Sequence, residues 1–278
     1  MSDHPSAHAT FGAEWLSLRE RADHRARAPE LAEELAAWWE AQGARRIVDL
    51  GSGTGSNLRY LAPRLPGPQA WTLVDHDPDL LDRVRPPADS VDFRIESLEP
   101  VVADLARGGL DPVGEADLVT ASALLDLVST RWLTALVRAC RQANAAALLA
   151  LSYDGTVTWS VPAPDDALVL AAVNRHQTRD KGTGGALGPQ AAHEAERLFR
   201  GAGYRCRLLP SLWKLGGDDA ALVEELVAGW AGAASEINPQ YAGRIREWAR
   251  TRVAEVRAGR LRVTVGHLDL LALPPEGE

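Results

Sequence analysis

The amino-acid sequence predicts an α/β fold: a seven-stranded, mostly parallel sheet with helices on both faces and a cap made of helices and a loop. Short apolar runs alternate with segments of helical periodicity, which is typical of parallel sheets covered by helices on both sides. The first apolar run ends in a glycine-rich turn at 51–55, and a helical pattern follows at once. The chain has 278 residues, 46% of them hydrophobic and 24% charged, which is enough for one enzyme-sized domain with insertions.

The first half of the sequence follows this simple alternation. A helical stripe of Leu31, Leu35 and Trp38 ends at Gly43, and the first strand then runs into the glycine-rich turn. Further strands are predicted in apolar runs that end in polar or acidic residues: AWTLVDHD, VDFRIESL, ADLVTASALLDLV and AAALLALSYDG. The segment TRWLTALVRACRQA supplies a helix before the last of them.

The second half departs from the alternation. Residues 160–188 combine a proline-rich start with the stretch NRHQTRDKGTGGALGP and are predicted to form a lid. A helix begins at Pro189, and YRCRLLPSLWKL is predicted to be one strand. Two helices at about 218–258 form a predicted helical cap, and the alternation of the final strand, RVTVGHLDLLALP, slips near Gly266 as a bulge would make it do. We therefore divide the chain into an N-terminal helical segment or cap at 1–29 and a domain at 30–278 with insertions at 160–188 and 218–258.

Composition and charge limit the partners of the protein. A net charge of −8 disfavours long contacts with nucleic acid, because such affinity comes largely from lysine and arginine. The sequence shows no signal peptide and no apolar run of membrane-spanning length, so we expect a cytoplasmic protein with no membrane contact. Cys140 and Cys206 stand alone, without a CxxC motif or a nearby histidine pair, which argues against a metal site or a disulfide framework. The oligomeric state is left open.

The residues that carry chemistry are expected at the carboxyl ends of the strands, where open parallel sheets bind ligands. The first strand ends in DLGSGTG at 49–55, whose glycines let backbone N–H groups approach a ligand beside a helix N-terminus. About twenty residues later Asp75 ends the next strand, where a carboxylate accepts hydrogen bonds from both hydroxyls of a ribose. Together the two features predict a cofactor that contains ribose.

The spacing of the glycines distinguishes between two kinds of cofactor. Dinucleotide sites carry GxGxxG, whereas here the order is GxGxG and residue 56 is serine. Asp49, directly before the loop, would repel a pyrophosphate but suits the ammonium group of an amino acid. A ligand with a ribose, a cationic sulfonium and an aminoacyl tail therefore fits better than a nicotinamide dinucleotide.

In these residues the sequence resembles the class I S-adenosylmethionine-dependent methyltransferases, which are Rossmann-like, and in particular the bacterial small-molecule type. VDLGSGTG is similar to their first motif and LVDHD to their second, and the resemblance covers roughly residues 30–155. It implies S-adenosylmethionine as cofactor, with S-adenosylhomocysteine as product. It also implies that the first motif holds the methionine end, that Asp75 holds the ribose, that His76 packs on the adenine and that Ser97 or Glu96 meets the adenine amino group. The implied cofactor-binding residues are Asp49, Gly51, Ser52, Gly53, Thr54, Gly55, Asn57, Asp75, His76, Ser97, Ala121 and Ser122.

The acceptor side is less well defined. Asp126 either faces the substrate or is the charge at a helix N-terminus, and His176 in the predicted lid either touches substrate or is exposed to solvent. Both are candidate catalytic bases if the acceptor is a hydroxyl. Candidate substrate contacts are Trp15, Tyr153, Asp154, Trp159 and Arg179. The predicted reaction is methyl transfer to a small molecule, at oxygen or nitrogen rather than at carbon.

Three alternatives stay open at this point. A nucleic-acid methyltransferase is disfavoured by the acidic balance and by TASALL, which stands where such enzymes carry an NPPY-like tetrad. A cofactor-binding partner without catalysis would have the same shell. An enzyme that uses the bound sulfonium for another reaction is the third.

Overall fold

The structure is a computed structural model and describes residues 12–275. Its α-helices are α1 (Ala13–Ala26), α2 (Pro29–Gln42), α3 (Ser56–Leu61), α4 (Pro78–Leu81), α5 (Thr130–Ala143), α6 (Asp166–Gln177), α7 (Ala191–Gly201), α8 (Ala220–Ile237) and α9 (Ala242–Arg257). Its strands are β1 (Arg46–Leu50), β2 (Gly67–Asp75), β3 (Phe93–Val102), β4 (Leu118–Ser122), β5 (Ala146–Trp159), β6 (Arg205–Pro210), β7 (Trp213–Leu215) and β8 (Val263–Leu273).

The strands form one mixed, mostly parallel sheet. Its order is β3-β2-β1-β4-β5-β8-β6, with β1 to β5 parallel and β8 antiparallel to both of its neighbours. Successive residues of one strand point to opposite faces, so Ile47 packs with α2 and α3 on one face whereas Val48 packs with α5 and α7 on the other. The predicted fold class is confirmed.

The sheet has eight strands rather than the predicted seven. The segment predicted as one strand is divided into β6 and β7 at Ser211 and Leu212. Both pieces pair with β8 in one continuous register, because Pro210 lies opposite Leu268 and Trp213 opposite Val265. The division therefore interrupts a single edge for two residues and does not change its path.

A bulge lies where the alternation of the final strand slips. Three residues of β5, at 154–156, stand opposite Gly266 of β8, so the extra residues are on β5 and not on the final strand itself. A Cβ at Gly266 would lie 2.0 Å from Thr156 Oγ1 and 2.1 Å from Asp154 Oδ1, so only glycine allows this approach. Beyond the bulge, β5, β8 and β7 continue past the carboxyl edge of the parallel strands.

This extension supports a cap made of α6, α8 and α9. Their apolar faces form a cluster of their own around Trp159, separate from the two clusters on the faces of the sheet. The ring of Trp159 meets those of Trp230 and Trp248 edge to face, at centroid distances of 5.9 Å and 6.1 Å. The predicted insertions thus contain a helix at 166–177 and two helices between 220 and 257.

The N-terminal helices are fixed to the sheet by a buried ion pair. Arg27, between α1 and α2, donates to Asp269 of β8 at 3.2 Å and to the amide oxygen of Asn57 in α3 at 2.8 Å. Asp269 also accepts the backbone N–H groups of Ala28, at 3.1 Å, and of Leu151, at 2.7 Å. Side chains of the pair are only 3% and 1% exposed. The direction of α1 across the sheet therefore depends on this contact.

Two other observations bear on the sequence-based expectations. Among the described residues, no helix is both long and apolar enough to span a bilayer. Cys140 and Cys206 are buried thiols, and neither forms a disulfide.

Replacing Arg27 with alanine should destabilise the protein strongly. The change leaves the carboxylate of Asp269 buried without its charged partner, which costs about 3–5 kcal/mol of unfolding free energy. Urea denaturation followed by tryptophan fluorescence measures this change. As a control, Arg205→Ala breaks an exposed pair with Glu34 and should cost no more than about 1 kcal/mol. Equal, small losses in the two variants would contradict the role given to Arg27.

Candidate active site

A cleft lies at the carboxyl edge of the sheet, where the loops after β1 to β4 meet beneath α1. These loops contribute residues 51–54, 56–57, 75–76, 103–106, 122–124 and 127–128 to its lining. Leu80 of α4, Leu16, Arg19 and Asp23 of α1, and Lys181 and Thr183 of the loop after α6 complete the lining. Many residues from the predicted motifs are therefore brought together in one place.

The glycine-rich loop forms the floor of the cleft. Gly51, Gly53 and Gly55 have φ values of 67°, 53° and 81°, in the left-handed region that favours glycine. A Cβ at Gly53 would lie 2.9 Å from the Cδ1 atom of Leu16. The missing side chain therefore lets α1 close down on the loop.

Asp75 connects the end of β2 to this loop. One oxygen of its carboxylate accepts the backbone N–H of Gly53 at 2.8 Å, and the other accepts that of Asp77 at 3.0 Å. Its side chain is nearly buried but lines the cleft, and the exposed ring of His76 lies beside it. The oxygen bound to Gly53 has capacity for a further hydrogen bond, whereas the oxygen bound to Asp77 also lies 3.2 Å from Nδ1 of His76. Asp75 thus presents a fixed anionic acceptor to the cleft.

Ser52 and Asn57 supply polar groups at the other end of the loop. The Oγ atom of Ser52 is buried and has no hydrogen-bond partner within residues 12–275, although the residue lines the cleft. The amide of Asn57 is fully engaged: it donates to Asp49 and Thr120, both at 2.9 Å, and accepts from Arg27. A ligand in the cleft therefore meets a free hydroxyl at Ser52 and a fixed amide at Asn57.

Asp49 does not line the cleft as the sequence suggested. It is 1% exposed and lies beneath Asn57, because the last residues of β1 are enclosed by the neighbouring strands. Burial raises its pKa to about 7; the hydrogen bond from Asn57 and the charge of Arg27 oppose that rise, and the charge of Asp75 adds to it. Its Oδ2 atom has no hydrogen-bond partner among the described residues. The geometry places Asn57 between Asp49 and any ligand.

Ser97 and Glu96 lie away from the cleft, so the structure does not bring these two predicted residues to the other candidate cofactor contacts. The third strand continues to Val102, so both residues are in the middle of an edge strand and exposed to solvent. The cleft is lined instead by residues 103–106, which follow the true end of β3. The prediction ended this strand at Leu98 rather than at Val102, because the exposed edge strand lacks a long apolar run that would mark its end.

The end of β4 contributes backbone and apolar groups. Ala121 is buried in the sheet, whereas Ser122 lines the cleft and is followed by Ala123 with a φ of 54° and by Leu124. Gly55 and Ala121 are not among the lining residues. Gly55 instead shapes the loop, since a Cβ there would lie 3.0 Å from Val84.

Asp126 lies in the single helical turn after β4 and is 7% exposed. Burial raises the pKa of its carboxyl to about 6, against the opposing effect of its own backbone N–H and of the positive charges of Arg19 and Lys181. Both of those cations line the cleft. Asp126 itself does not line the cleft, but Leu124 and Leu127 on either side of it do. With a pKa of about 6, its carboxyl changes protonation just below neutral pH.

His176 and Arg179 do not reach the cleft. His176 is in helix α6 rather than in a loop, and its Nε2 atom lies 3.3 Å from Glu236 of α8. Arg179 donates to the same carboxylate at 3.0 Å. Neither residue lines the cleft, so the structure places the predicted base and the predicted anion contact at the junction of α6 with α8.

Tyr153 and Asp154 form hydrogen bonds with other residues of the protein. The hydroxyl of Tyr153 donates to Asn174 at 2.9 Å, and burial raises the pKa of this phenol above its ordinary value. Asp154 accepts from the backbone N–H of Thr156 at 2.8 Å and from its hydroxyl at 2.7 Å, which closes the bulge of β5. Neither lines the cleft.

The two tryptophans predicted to form pocket walls belong to the cap cluster. Trp159 is buried between α8 and α9, and Trp15 packs on the same cluster from α1. Helical periodicity explains the error at Trp15: Leu16, Arg19 and Asp23 share the face of α1 that looks into the cleft, and Trp15 lies on the face that packs against the cap. That spacing was the signal that the sequence offered for these three lining residues.

Known proteins are similar to this chain in part of its sequence and in its fold. Residues 47–145 match the family described as "Methyltransferase domain". No curated protein sequence matches the chain. Among solved structures, the cyclopropane synthase MmaA2 from Mycobacterium tuberculosis superimposes with a TM-score of 0.50 at 13% identity, covering 96% of each chain.

Two further solved structures are similar at lower scores. The mycolic acid cyclopropane synthase CmaA1, in a complex with S-adenosylhomocysteine and CTAB, has a TM-score of 0.47 at 13% identity, covering 98% of this chain and 99% of its own. A S-adenosylmethionine-dependent methyltransferase from Geobacter sulfurreducens, in complex with S-adenosylhomocysteine, has a TM-score of 0.42 at 16% identity, covering 95% and 98%.

These comparisons confirm the methyltransferase domain and the fold class predicted from the sequence. The domain match covers the glycine-rich loop, Asp75 and the end of β4, and the superposition shows that the chain shares the fold of the cyclopropane synthase over 96% of its length. The chain therefore contains a methyltransferase domain at residues 47–145.

Replacing Asp49 with asparagine should stabilise the ligand-free protein more at high pH than at low pH. Because the folded-state pKa is raised to about 7, the wild type loses stability as pH rises from about 4 to about 7. The advantage of the variant should grow over that window by about 1.4 kcal/mol per pH unit and then level off. Urea denaturation at pH 5, 6, 7 and 8 measures it. The exposed control Glu33→Gln should show no such slope, and a constant difference for Asp49→Asn would be contrary to a buried ionising carboxyl.

Proposed function

We propose that the protein transfers the methyl group of S-adenosylmethionine to an oxygen or nitrogen atom of a small molecule, and the match of residues 47–145 to a methyltransferase domain supports this proposal. One observation carries the proposal: the glycine-rich loop, the carboxylate of Asp75 and the unpartnered hydroxyl of Ser52 line one cleft beneath α1. Each of the three suits a different part of that cofactor.

The residues present fit the cofactor. Asp75 would hold the ribose hydroxyls, Ser52 the aminoacyl end, and the backbone of residues 51–54 the atoms between them. Asn57 would take part beside Ser52, with Asp49 positioning its amide from beneath. His76, Leu80 and Leu105 line the cleft near Asp75 and would flank the adenine, and Ser122 would meet the cofactor at the end of β4.

S-adenosylmethionine, when bound, supplies a methyl group on a positively charged sulfur. The protein's task is to align an acceptor with that group and to exclude water, and such alignment is worth about 7–11 kcal/mol in favourable cases. Helix α1 covers the cleft through Leu16, and the loop at 178–187 closes another side through Lys181 and Thr183. We therefore assign residues 12–29 and 160–188 as covers of the site, and the helices at 218–258 as the support of the second cover. Residues 1–11 of the predicted N-terminal cap lie outside the described residues.

Asp126 is the group we assign as the base for an acceptor that must lose a proton. With a pKa of about 6 it is mostly ionised at neutral pH, so a carboxylate oxygen is ready to take the proton of a hydroxyl or an ammonium. His176 is not part of this proposal, because Glu236 holds it away from the cleft.

The size and charge of the protein support a small-molecule acceptor. The cleft is covered from two sides, and a net charge of −8 disfavours a phosphate backbone. The superposition on a cyclopropane synthase, at 13% identity, is a likeness of fold and does not define the acceptor atom.

Calorimetry tests the cofactor assignment and, through it, the role of Asp75. S-adenosylhomocysteine should bind to the wild type and NAD should not. Asp75→Asn should weaken S-adenosylhomocysteine binding by about tenfold or more, because it removes a charged acceptor of ribose hydrogen bonds. Asp82→Asn, a change at an exposed acid at the C-terminal end of α4, is the control and should change nothing. Binding of NAD alone, or an unchanged Kd in Asp75→Asn, would contradict the assignment.

Replacing Asp126 with asparagine tests its assignment as the base. With a hydroxyl or ammonium acceptor, Asp126→Asn should lower kcat about 10²–10⁴-fold and leave the Kd for S-adenosylhomocysteine unchanged. The wild-type rate should rise with pH to a plateau above about 6, since the base must be ionised. Methyl transfer from labelled S-adenosylmethionine measures both. If the variant keeps the wild-type rate and pH profile, Asp126 is not the base; if no label is ever transferred although the cofactor binds, a partner without catalysis is the better account.

A further inference from the structure

We propose that the methyl acceptor carries a carboxylate or another anionic group and that Lys181 binds it. The inference rests on the proposed methyl transfer to a small molecule and names the class of that molecule. Its basis is a lysine that lines the cleft, is held there by its loop, and has no hydrogen bond or ion pair within residues 12–275.

The loop that carries Lys181 is held by hydrogen bonds within the loop and by one to Ser129. Asp180 accepts the backbone N–H groups of Gly182 at 2.7 Å and Gly184 at 3.0 Å, so the chain folds tightly around the lysine. The hydroxyl of Thr183 accepts the N–H of Ser129 at 2.9 Å. Because Ser129 is the N-cap of α5 and closely follows Asp126 in the chain, this contact holds Lys181 beside the turn that contains Asp126.

The other cations of this region already have partners. Arg19, the arginine that lines the cleft, makes two hydrogen bonds to Asp23, at 2.9 Å and 3.1 Å, and stacks over Trp213 at 4.9 Å. Arg179 is paired with Glu236. Arg175 donates to the carbonyl of Ile237 and to Asn238. Of the lysine and arginine side chains lining the cleft, Lys181 therefore remains for a ligand.

The electrostatic surroundings favour an anion at this position. Partial burial lowers the pKa of Lys181, so its ammonium has lost water contacts without gaining a protein acceptor. The charged neighbours that act on it are Glu236, Arg179 and Asp126, and no hydrogen bond joins it to any of them. Glu236 is already shared by Arg179 and His176. A carboxylate of the acceptor would supply the missing partner and leave Asp126 free to take a proton.

The test uses the two lysines of the chain, Lys181 and the exposed Lys214. A small-molecule extract is first separated by anion exchange into retained and unretained fractions. Each fraction is then incubated with the protein and methyl-labelled S-adenosylmethionine. Label should enter the retained fraction. With the acceptor isolated from it, Lys181→Met should raise KM about tenfold or more, Lys181→Arg should recover most of the loss, and Lys214→Met should match the wild type.

A second readout does not depend on turnover. In protein labelled with ¹³C-lysine, the two lysine ε-carbon signals can be assigned with the Lys214→Met variant. Titration of the S-adenosylhomocysteine-loaded protein with the isolated acceptor should shift the Lys181 signal and leave the Lys214 signal in place.

Three results separate the two levels of the proposal. Label in the unretained fraction alone overturns the anionic acceptor but leaves methyl transfer intact. An unchanged KM in Lys181→Met, with no shift of its signal, overturns the role of Lys181. If neither fraction takes up label while S-adenosylhomocysteine still binds, the proposed small-molecule methyl transfer fails, and the inference fails with it.

Discussion

The buried guanidinium of Arg27 joins parts of the chain that the cleft needs in fixed relation. Through Asp269 it holds the final strand and the backbone of Leu151 in β5, and through Asn57 it holds the helix that follows the glycine-rich loop. Asn57 continues the network to Asp49 and to Thr120, whose hydroxyl donates to the carbonyl of Leu148 at 2.9 Å. Hydrogen bonds in such a buried network are electrostatically stronger than in water, so they hold the linked side chains in fixed positions. The position of α1 over the cleft therefore follows from a polar contact inside the sheet rather than from the cover itself.

Two halves of the cleft differ in how they are built. The half next to β1 and β2 is formed by the glycine-rich loop, Asn57 and Asp75, which hydrogen bonds such as that from Gly53 to Asp75 hold in place. The half next to β4 is lined by side chains of separate elements, Arg19 on α1 and Lys181 on the loop after α6, while Asp126 lies in the turn after the strand and is not itself a lining residue. A change in the covers can alter the second half without disturbing the first. This division suits an enzyme whose cofactor is common to its family and whose acceptor is its own.

Sequence reasoning succeeded where local chemistry determines structure. A run of three glycines with alternating spacing, followed by helical periodicity, was enough to place the loop, and the distance to Asp75 was enough to place the second acid. It failed where side-chain direction depends on tertiary packing: Trp15 and Trp159 face the cap, and Ser97 lies in the middle of a longer strand. His176 and Arg179 were misplaced for a related reason, because Glu236 lies far along the chain and only folding brings it to them. Lys181 belongs to the predicted lid, whose basic residues the sequence offers as contacts for an anionic or polar substrate, and only folding shows that Lys181 lines the cleft whereas Arg175, His176 and Arg179 do not.

The most direct test of this account is a crystal structure of the protein with S-adenosylhomocysteine. The account predicts that the ribose hydroxyls lie within hydrogen-bond distance of the Asp75 carboxylate, that the aminoacyl end meets Ser52 beside Asn57, and that the sulfur faces the side of the cleft next to Asp126 and Lys181. A ligand bound with its ribose away from Asp75, or with its sulfur directed away from both Asp126 and Lys181, would contradict it.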